Sequence, residues 1–246
     1  MYTDFAKYYD TMMADVDYTR WACAIRDRLI SLGVKPGMRI CECACGTGNL
    51  TIPLAEMGYS ICGVDLSGDM LSAAMDKSRK KGLSIPYVRQ DMTGLDLPRN
   101  QDAILCTCDG INYLTSKGCG LFFRRAFQLL RTGGVLLFDL STPYKLTYIL
   151  GDHTLHRTDD EYCYIWENSL SGSGRRLTIH LTAFVRTGDN CYARFEEDQT
   201  QYVHDLEDIT QTLAEAGFVS VEALNGTLTG PAETDNERWH FVAIRP

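Results

Sequence analysis

The run "RICECACGTGNLTIPLAEM", Arg39 to Met57, passes from an apolar strand through a turn with glycines at 46 and 48 straight into a helix. A strand joined so tightly to a helix needs cover on both faces, which a parallel sheet with flanking helices supplies. The pattern recurs along the chain. "YSICGVDLS" reads as a second strand closing on Asp65, and Ser67 is placed to cap a helix with Met70, Leu71, Ala74 and Met75 on one side. "IPYVRQD" is a third strand ending at Asp91, "DAILCTC" a fourth and "VLLFDL" a fifth, the last preceded by a helical period over Leu121 to Leu130 that stops at "RTGG". Together with a helix over 19–32, ended by Gly33, five strand-then-helix units predict an α/β fold with an open, doubly wound, mostly parallel sheet.

The period then switches from helical to two. Tyr162–Leu170, Arg175–Thr187 and Cys191–Val203 alternate, joined by the turn sequences "SGSG" and "GDN". They predict three strands of an inserted antiparallel β-sheet. A helix capped by Asp205 and closed by Gly217 follows, then strands at "FVSVEAL" and "RWHFVAIRP". The expected organisation is one domain built from 1–143 and 204–246, with 144–203 as an inserted antiparallel subdomain.

A formal net charge of -8 argues against a nucleic-acid backbone as the partner. No apolar run reaches membrane-spanning length and "MYTDFAKYYD" lacks signal-peptide features, so the expectation is a cytoplasmic protein with no membrane partner. Cys41, Cys43 and Cys45 are spaced by single residues, and the five histidines all lie beyond residue 150. That is not metal-site spacing; small buried hydrophobes are the expectation, and no metal. The cluster Lys77, Arg79, Lys80, Lys81 reads as a solvated helix end.

In an open α/β sheet the ligand lies beyond the carboxyl ends of the strands. Gly46 and Gly48 permit close backbone approach there, and Asp65, 17 residues past Gly48, is placed to hold two ribose hydroxyls. A nucleotide-like ligand follows. A dinucleotide's pyrophosphate would face Glu42 at the end of the first strand, whereas a sulfonium and an ammonium suit that carboxylate. S-adenosylmethionine fits best; an NAD(P)-dependent oxidoreductase and a non-catalytic S-adenosylmethionine-binding protein remain as alternatives.

"ICECACGTG", "GVDLSGDML", "VRQDM" and "LRTGGVLLFDL", in this order and spacing, resemble the class I S-adenosylmethionine-dependent methyltransferases over about residues 37–140. The aromatic-rich "FAKYYDTMMADVDYTRWA" is similar to the bacterial small-molecule branch, in which such a segment covers the cofactor. The resemblance implies a Rossmann-like methyltransferase fold with S-adenosyl-L-methionine as cofactor. It assigns Glu42, Ala44, Cys45 and Gly46 to the methionine part, Asp65 to the ribose, and Leu66 and Met70 to the surroundings of the adenine. Asp91 and Met92 fall to the adenine ring, and Cys106 to the methionyl amine or the reacting methyl; Tyr9, Tyr18 and Trp21 are candidates from the covering segment. The family usually has glycine at Ala44.

Methyl transfer is an in-line displacement that gains chiefly from orientation and needs no covalent intermediate. No catalytic residue is assigned. If the acceptor must lose a proton, His153, His156, His180, His204 and Asp109 are the candidate bases. Asn112, Tyr113 and Tyr144, after the fourth and fifth strands, are expected to meet a small-molecule methyl acceptor. The inserted sheet could serve as a lid, a substrate platform or the surface of a homodimer.

Overall fold

A computed structural model describes residues 5–189 and 191–246; the "GDN" turn reaches Asn190, outside the described residues. The parallel strands are β1 (Arg39–Cys43), β2 (Ser60–Asp65), β3 (Tyr87–Arg89), β4 (Gln101–Cys106) and β5 (Leu130–Ser141). With the final pair β10 (Val219–Leu224) and β11 (Arg238–Ile244) they form a seven-stranded sheet of order β10-β11-β5-β4-β1-β2-β3. The order reverses between β1 and β4, where the chain leaves β1 to one side and β4 to the other. β11 runs antiparallel to both neighbours.

Two hydrophobic clusters cover the sheet. On one face α5 (Ser116–Leu129) and α6 (Leu206–Glu215) bring Phe122, Phe123 and Leu213 onto Ile104, Leu136 and Phe138. The Phe138 ring stacks 5.1 Å from both Phe123 and Phe241. On the other face α2 (Tyr18–Ser31) and α3 (Thr51–Glu56) bring Ala22, Ile25, Leu29 and Leu54 onto Ile40, Leu105 and Leu137. Successive residues such as Ile104 and Leu105 thus serve opposite cores, which is why these strands read as unbroken apolar runs. Cys41 and Cys43 belong to the first cluster, their sulfurs 3.8 Å apart.

Several elements differ from the sequence expectation. Between β3 and β4 the expected helix is only a 3₁₀ turn, Met92–Gly94. "RTGG" lies inside β5, whose pairing with β4 slips there, and Gly133 supplies a left-handed residue (φ 72°) at the slip. Asp205 precedes α6 without capping it, because its carboxylate pairs with Arg175 instead. The inserted sheet has four strands, in the order β6 (Thr154–Thr158), β7 (Tyr162–Leu170), β8 (Arg176–Gly188), β9 (Cys191–Tyr202). β6 is an edge strand with no buried residue, so it carries no apolar alternation to reveal it.

The N-terminal helix α1 (Phe5–Met12) bridges the two sheets. Ala6, Tyr8, Tyr9 and Met12 pack with Met70 on α4 (Gly68–Lys80) and with Leu181, Ala183, Val185 and Phe195 of the inserted sheet. The Tyr8 and Phe195 rings stack at 5.5 Å. A polar clasp fixes the helix over the glycine turn: Lys77 Nζ donates to Asp10 (2.6 Å), Asn49 (2.6 Å) and Thr47 (3.1 Å), and Asp10 accepts from Thr47 (2.7 Å) and Asn49 (2.9 Å). Lys77 is therefore a tie rather than the solvated helix end that the charge pattern predicts.

The clasp is partly exposed, so its removal should cost no more than about 1 kcal/mol of global stability. Lys77→Ala is expected to leave the melting temperature nearly unchanged while accelerating amide exchange over residues 5–12. Unchanged exchange there would show that apolar packing alone holds α1.

Candidate active site

The turn after β1 places three residues in left-handed conformation within five positions: Ala44 (φ 53°), Gly46 (φ 54°) and Gly48 (φ 77°). Asp65, at the tip of β2, fastens this turn. Its Oδ2 accepts the Gly46 amide at 2.8 Å and its Oδ1 the Ser67 amide at 2.8 Å, joining the turn to the start of α4. Burial raises the Asp65 carboxyl above its ordinary value, and these backbone donors partly offset the rise. Ser67 caps α4 as the sequence predicts, its Oγ accepting the Met70 amide at 3.3 Å.

Ala44 is accommodated rather than relaxed. A Cβ placed on Gly110 would lie 3.0 Å from the Ala44 methyl and 2.8 Å from Cys106 Sγ, so a side chain is present at 44 because none is present at 110.

Glu42 is 2 % exposed and faces α3. Thr51, at the start of that helix, donates to one carboxylate oxygen and Thr107 to the other at 2.7 Å. Burial pushes the Glu42 carboxyl up to about 7; the two hydroxyls oppose the rise, and the charges of Asp65 and Asp139 add to it. A phosphate at the start of α3 would meet this carboxylate, whereas a cationic ligand would favour its ionised form. Lys77, beside the turn, is already neutralised by Asp10. A carboxylate here with no free cation beside it among the described residues fits an adenosyl sulfonium.

The other expected residues fall into two groups. Met92 and Cys106 meet, their sulfurs 3.8 Å apart, with Cys106 fully buried. Tyr9 is half-buried beside Tyr18, Cys108 and Asp109, and desolvation holds its hydroxyl well above the ordinary range; burial likewise pushes Tyr18 up to about 12. Trp21 stacks with Tyr18 and carries the Arg238 guanidinium 5.0 Å from its ring. Met70 is buried beneath α1, whereas Leu66 is 62 % exposed. Asp91 is exposed, its Oδ1 accepting the amide and hydroxyl of Thr93 at 2.8 Å.

Of the residues expected to meet the acceptor, Asn112 is fully buried with its amide spent on backbone: Nδ2 donates to Ser141 O (3.0 Å) and Tyr202 O (3.1 Å), and Oδ1 accepts from Ser141 N (2.8 Å). It ties the loop after β4 to β5 and β9. Tyr113 donates to Gln199 on β9 at 2.8 Å. Tyr144 is surface-exposed beside Tyr148, their ring centroids 5.9 Å apart. Of the candidate bases, His153 and His156 are exposed, and His180 pairs with Asp198 on exposed side chains of the inserted sheet. His204 is buried with Nε2 against Leu114 O at 2.9 Å. Asp109 stands among Arg238, Gln201 and Tyr9.

Sequence reasoning missed Arg238, Asp139, Gln201, Thr51 and Thr107. Asp139 is fully buried in β5; Arg238 pairs with it and, at 3.1 Å, with Asp109. A lone basic residue opening an edge-proximal strand carries no local signal of a partner about a hundred positions away.

Two expectations follow. An Ala in the left-handed region costs about 1 kcal/mol, so Ala44→Gly should raise stability by roughly 0.5–1 kcal/mol in denaturant titration; destabilisation would mean that the methyl packing outweighs the strain. Because the Glu42 carboxyl lies above its ordinary value of 4.5, its protonated form stabilises the fold, and that contribution is lost as pH rises through about 7. Ionisation over the same range should strengthen binding of cationic S-adenosylmethionine several-fold between roughly pH 6 and pH 8, as read by calorimetry. Glu42→Gln should abolish that pH dependence; persistence of the dependence would exclude Glu42 as its source.

A family profile described as a methyltransferase domain matches residues 40–134. A relative from Geobacillus sp. (strain WCH70) with a provisional methyltransferase name is 34 % identical over 98 % of each chain. YqeM of Bacillus subtilis (strain 168), likewise provisionally named, is 35 % identical over 89 % of this chain and 86 % of its own. The crystal structure of an S-adenosylmethionine-dependent methyltransferase from Clostridium acetobutylicum ATCC 824 superposes with TM-score 0.90 at 32 % identity, covering 99 % of this chain and 98 % of that one. No helix among the described residues is long and apolar enough to cross a membrane. With the fold, the carboxylate-edged turn and relatives matched along nearly the whole chain in agreement, this protein belongs to the S-adenosylmethionine-dependent methyltransferases.

Proposed function

We propose that the enzyme methylates a small-molecule acceptor that enters between the loops after β4 and β5 and the inner face of the inserted sheet. The observation that carries this reading is the closeness of the two walls. Tyr113 reaches Gln199 at 2.8 Å, Asp109 accepts from Gln201 at 2.8 Å, and α1 packs across both units. A mouth spanned by direct side-chain hydrogen bonds suits a metabolite better than a folded macromolecule, and the net charge of -8 disfavours nucleic acid.

When bound, the cofactor supplies an electrophilic methyl group on a sulfonium. In this reading Glu42 and residues 44–46 hold its methionine part, and Asp65 exchanges the Gly46 amide for ribose hydroxyls. Met70, Asp91 and Met92 bound the adenine, Leu66 folds over it, and Cys106 floors the reacting region. Tyr9 and Trp21 close the site from the N-terminal side. Tyr113 and Tyr144 border the acceptor's path, while Asn112 positions the loop without touching the acceptor. Residues 144–203 act as an acceptor-binding subdomain on the 1–143 and 204–246 framework. A cytoplasmic location and a homodimer complete the reading.

Asp65→Ala should abolish calorimetric binding of S-adenosylmethionine and S-adenosylhomocysteine. Incubation of the wild-type enzyme and S-adenosylmethionine with a metabolite extract should yield a product heavier by one methylene in mass spectrometry. Methylation confined to protein or nucleic acid would overturn the small-molecule assignment.

A further inference from the structure

Resting on that reading, we propose that the methyl acceptor is an amine nitrogen received by Asp109, with Arg238 and Gln201 as the residues that position this carboxylate.

Asp109 sits where three parts of the molecule meet. Arg238 of β11 donates to its Oδ1 at 3.1 Å, Gln201 of β9 donates to its Oδ2 at 2.8 Å, and Tyr9 of α1 lies in its electrostatic neighbourhood. Each carboxylate oxygen has a second lone-pair direction for a further donor. The backbone is held in a sparsely populated form to aim this group: Cys108 (φ 56°) and Asp109 (φ 53°) are consecutive non-glycine residues in the left-handed region. Buried Asp139 pins both, its oxygens accepting the Cys108 amide at 2.9 Å and the Asp109 amide at 2.7 Å.

Charge selects the acceptor class. Asp109, Asp139 and Arg238 together leave one net negative charge in a largely buried cluster. His240, opposite Asp139 in the strand register, adds none, since burial lowers its pKa and keeps the ring neutral. A residual anion beside the nucleophile stabilises an atom that becomes positive during the reaction, and an amine nitrogen does so. The amine enters as its free base, its ammonium proton left to solvent, and its lone pair forms the new N–C bond while the C–S bond breaks with its electron pair passing to sulfur. The nitrogen becomes an ammonium ion, and its surplus proton leaves to solvent. A hydroxyl would instead require a proton acceptor in the transition state. A carboxylate already bound by a guanidinium and an amide is a hydrogen-bond acceptor rather than a base for an alcohol, and none of the four candidate histidines is a partner of Asp109 in the structure.

The test uses the intact enzyme with a panel of primary and secondary amines and their hydroxyl counterparts, read by mass spectrometry and initial rates, beside calorimetry with S-adenosylhomocysteine. Wild type is expected to methylate amines and not the matched alcohols. Asp109→Asn should lower kcat for amines about 100-fold while S-adenosylhomocysteine affinity stays within about two-fold, since the amide keeps the size and one acceptor of the carboxylate. Arg238→Lys and Gln201→Met, which keep the net charge of the cluster while disturbing the orientation of the carboxylate, should raise KM for the amine about ten-fold with a smaller change in kcat. Products on hydroxyl or carbon alone would overturn the amine assignment and leave the small-molecule reading standing. Amine turnover by Asp109→Asn within about three-fold of wild type would remove Asp109 from the mechanism. Cofactor binding with no product from any small acceptor would sink both this assignment and the reading beneath it.

Discussion

Everything at the carboxyl end of the main sheet is organised around carboxylates taken out of water. Glu42 and Asp139 are essentially inaccessible, and Asp65 and Asp109 are partly so. An uncompensated carboxylate in such a place costs several kcal/mol, so each must recruit donors. Glu42 takes two threonine hydroxyls, Asp65 two backbone amides, and Asp139 two backbone amides and a guanidinium. The demand for donors shapes the loops. The glycine turn is pulled onto β2 by Asp65, and the loop after β4 is pulled onto β5 by Asp139.

The same demand links parts of the chain that share no local pattern. Arg238, brought in by the antiparallel strand β11, joins Asp139 to Asp109 and lies over Trp21 of α2, so the N-terminal segment, the last strand and the loop after β4 meet on one side chain. Gln201 carries the connection into the inserted sheet. α1 closes the opposite side by two means: apolar packing against Met70 and Phe195, and the Asp10–Lys77 clasp above the glycine turn. The insertion is thus joined to the main domain by side-chain hydrogen bonds at its inner face.

Much of the fold was legible because its causes are local. Buried parallel strands read as apolar runs, the middle strand of the insertion alternated through Leu177, Ile179 and Leu181, and Ser67 announced its helix by chemistry confined to four residues. β6 escaped because an exposed edge strand has no face to bury. Asp205 misled because a capping residue type does not reveal a competing arginine thirty positions away. At the site, the glycine turn and the acids at the strand tips could be found from strand ends alone, and the charge of Glu42 favoured a sulfonium over a phosphate before any geometry was known.

The sequence by itself determined the layered α/β architecture, the antiparallel insertion and the cationic character of the cofactor, since periodicity, turn chemistry and charge act over a few residues. Only the tertiary structure decided which groups meet at the ends of the fourth and fifth strands. Asn112 became a buried tie, Lys77 a clasp, and Arg238 the partner of two aspartates. Those roles depend on hydrogen bonds between residues 28 to 129 positions apart, and a desolvated charge takes whichever donor the fold brings near it, however distant in the chain.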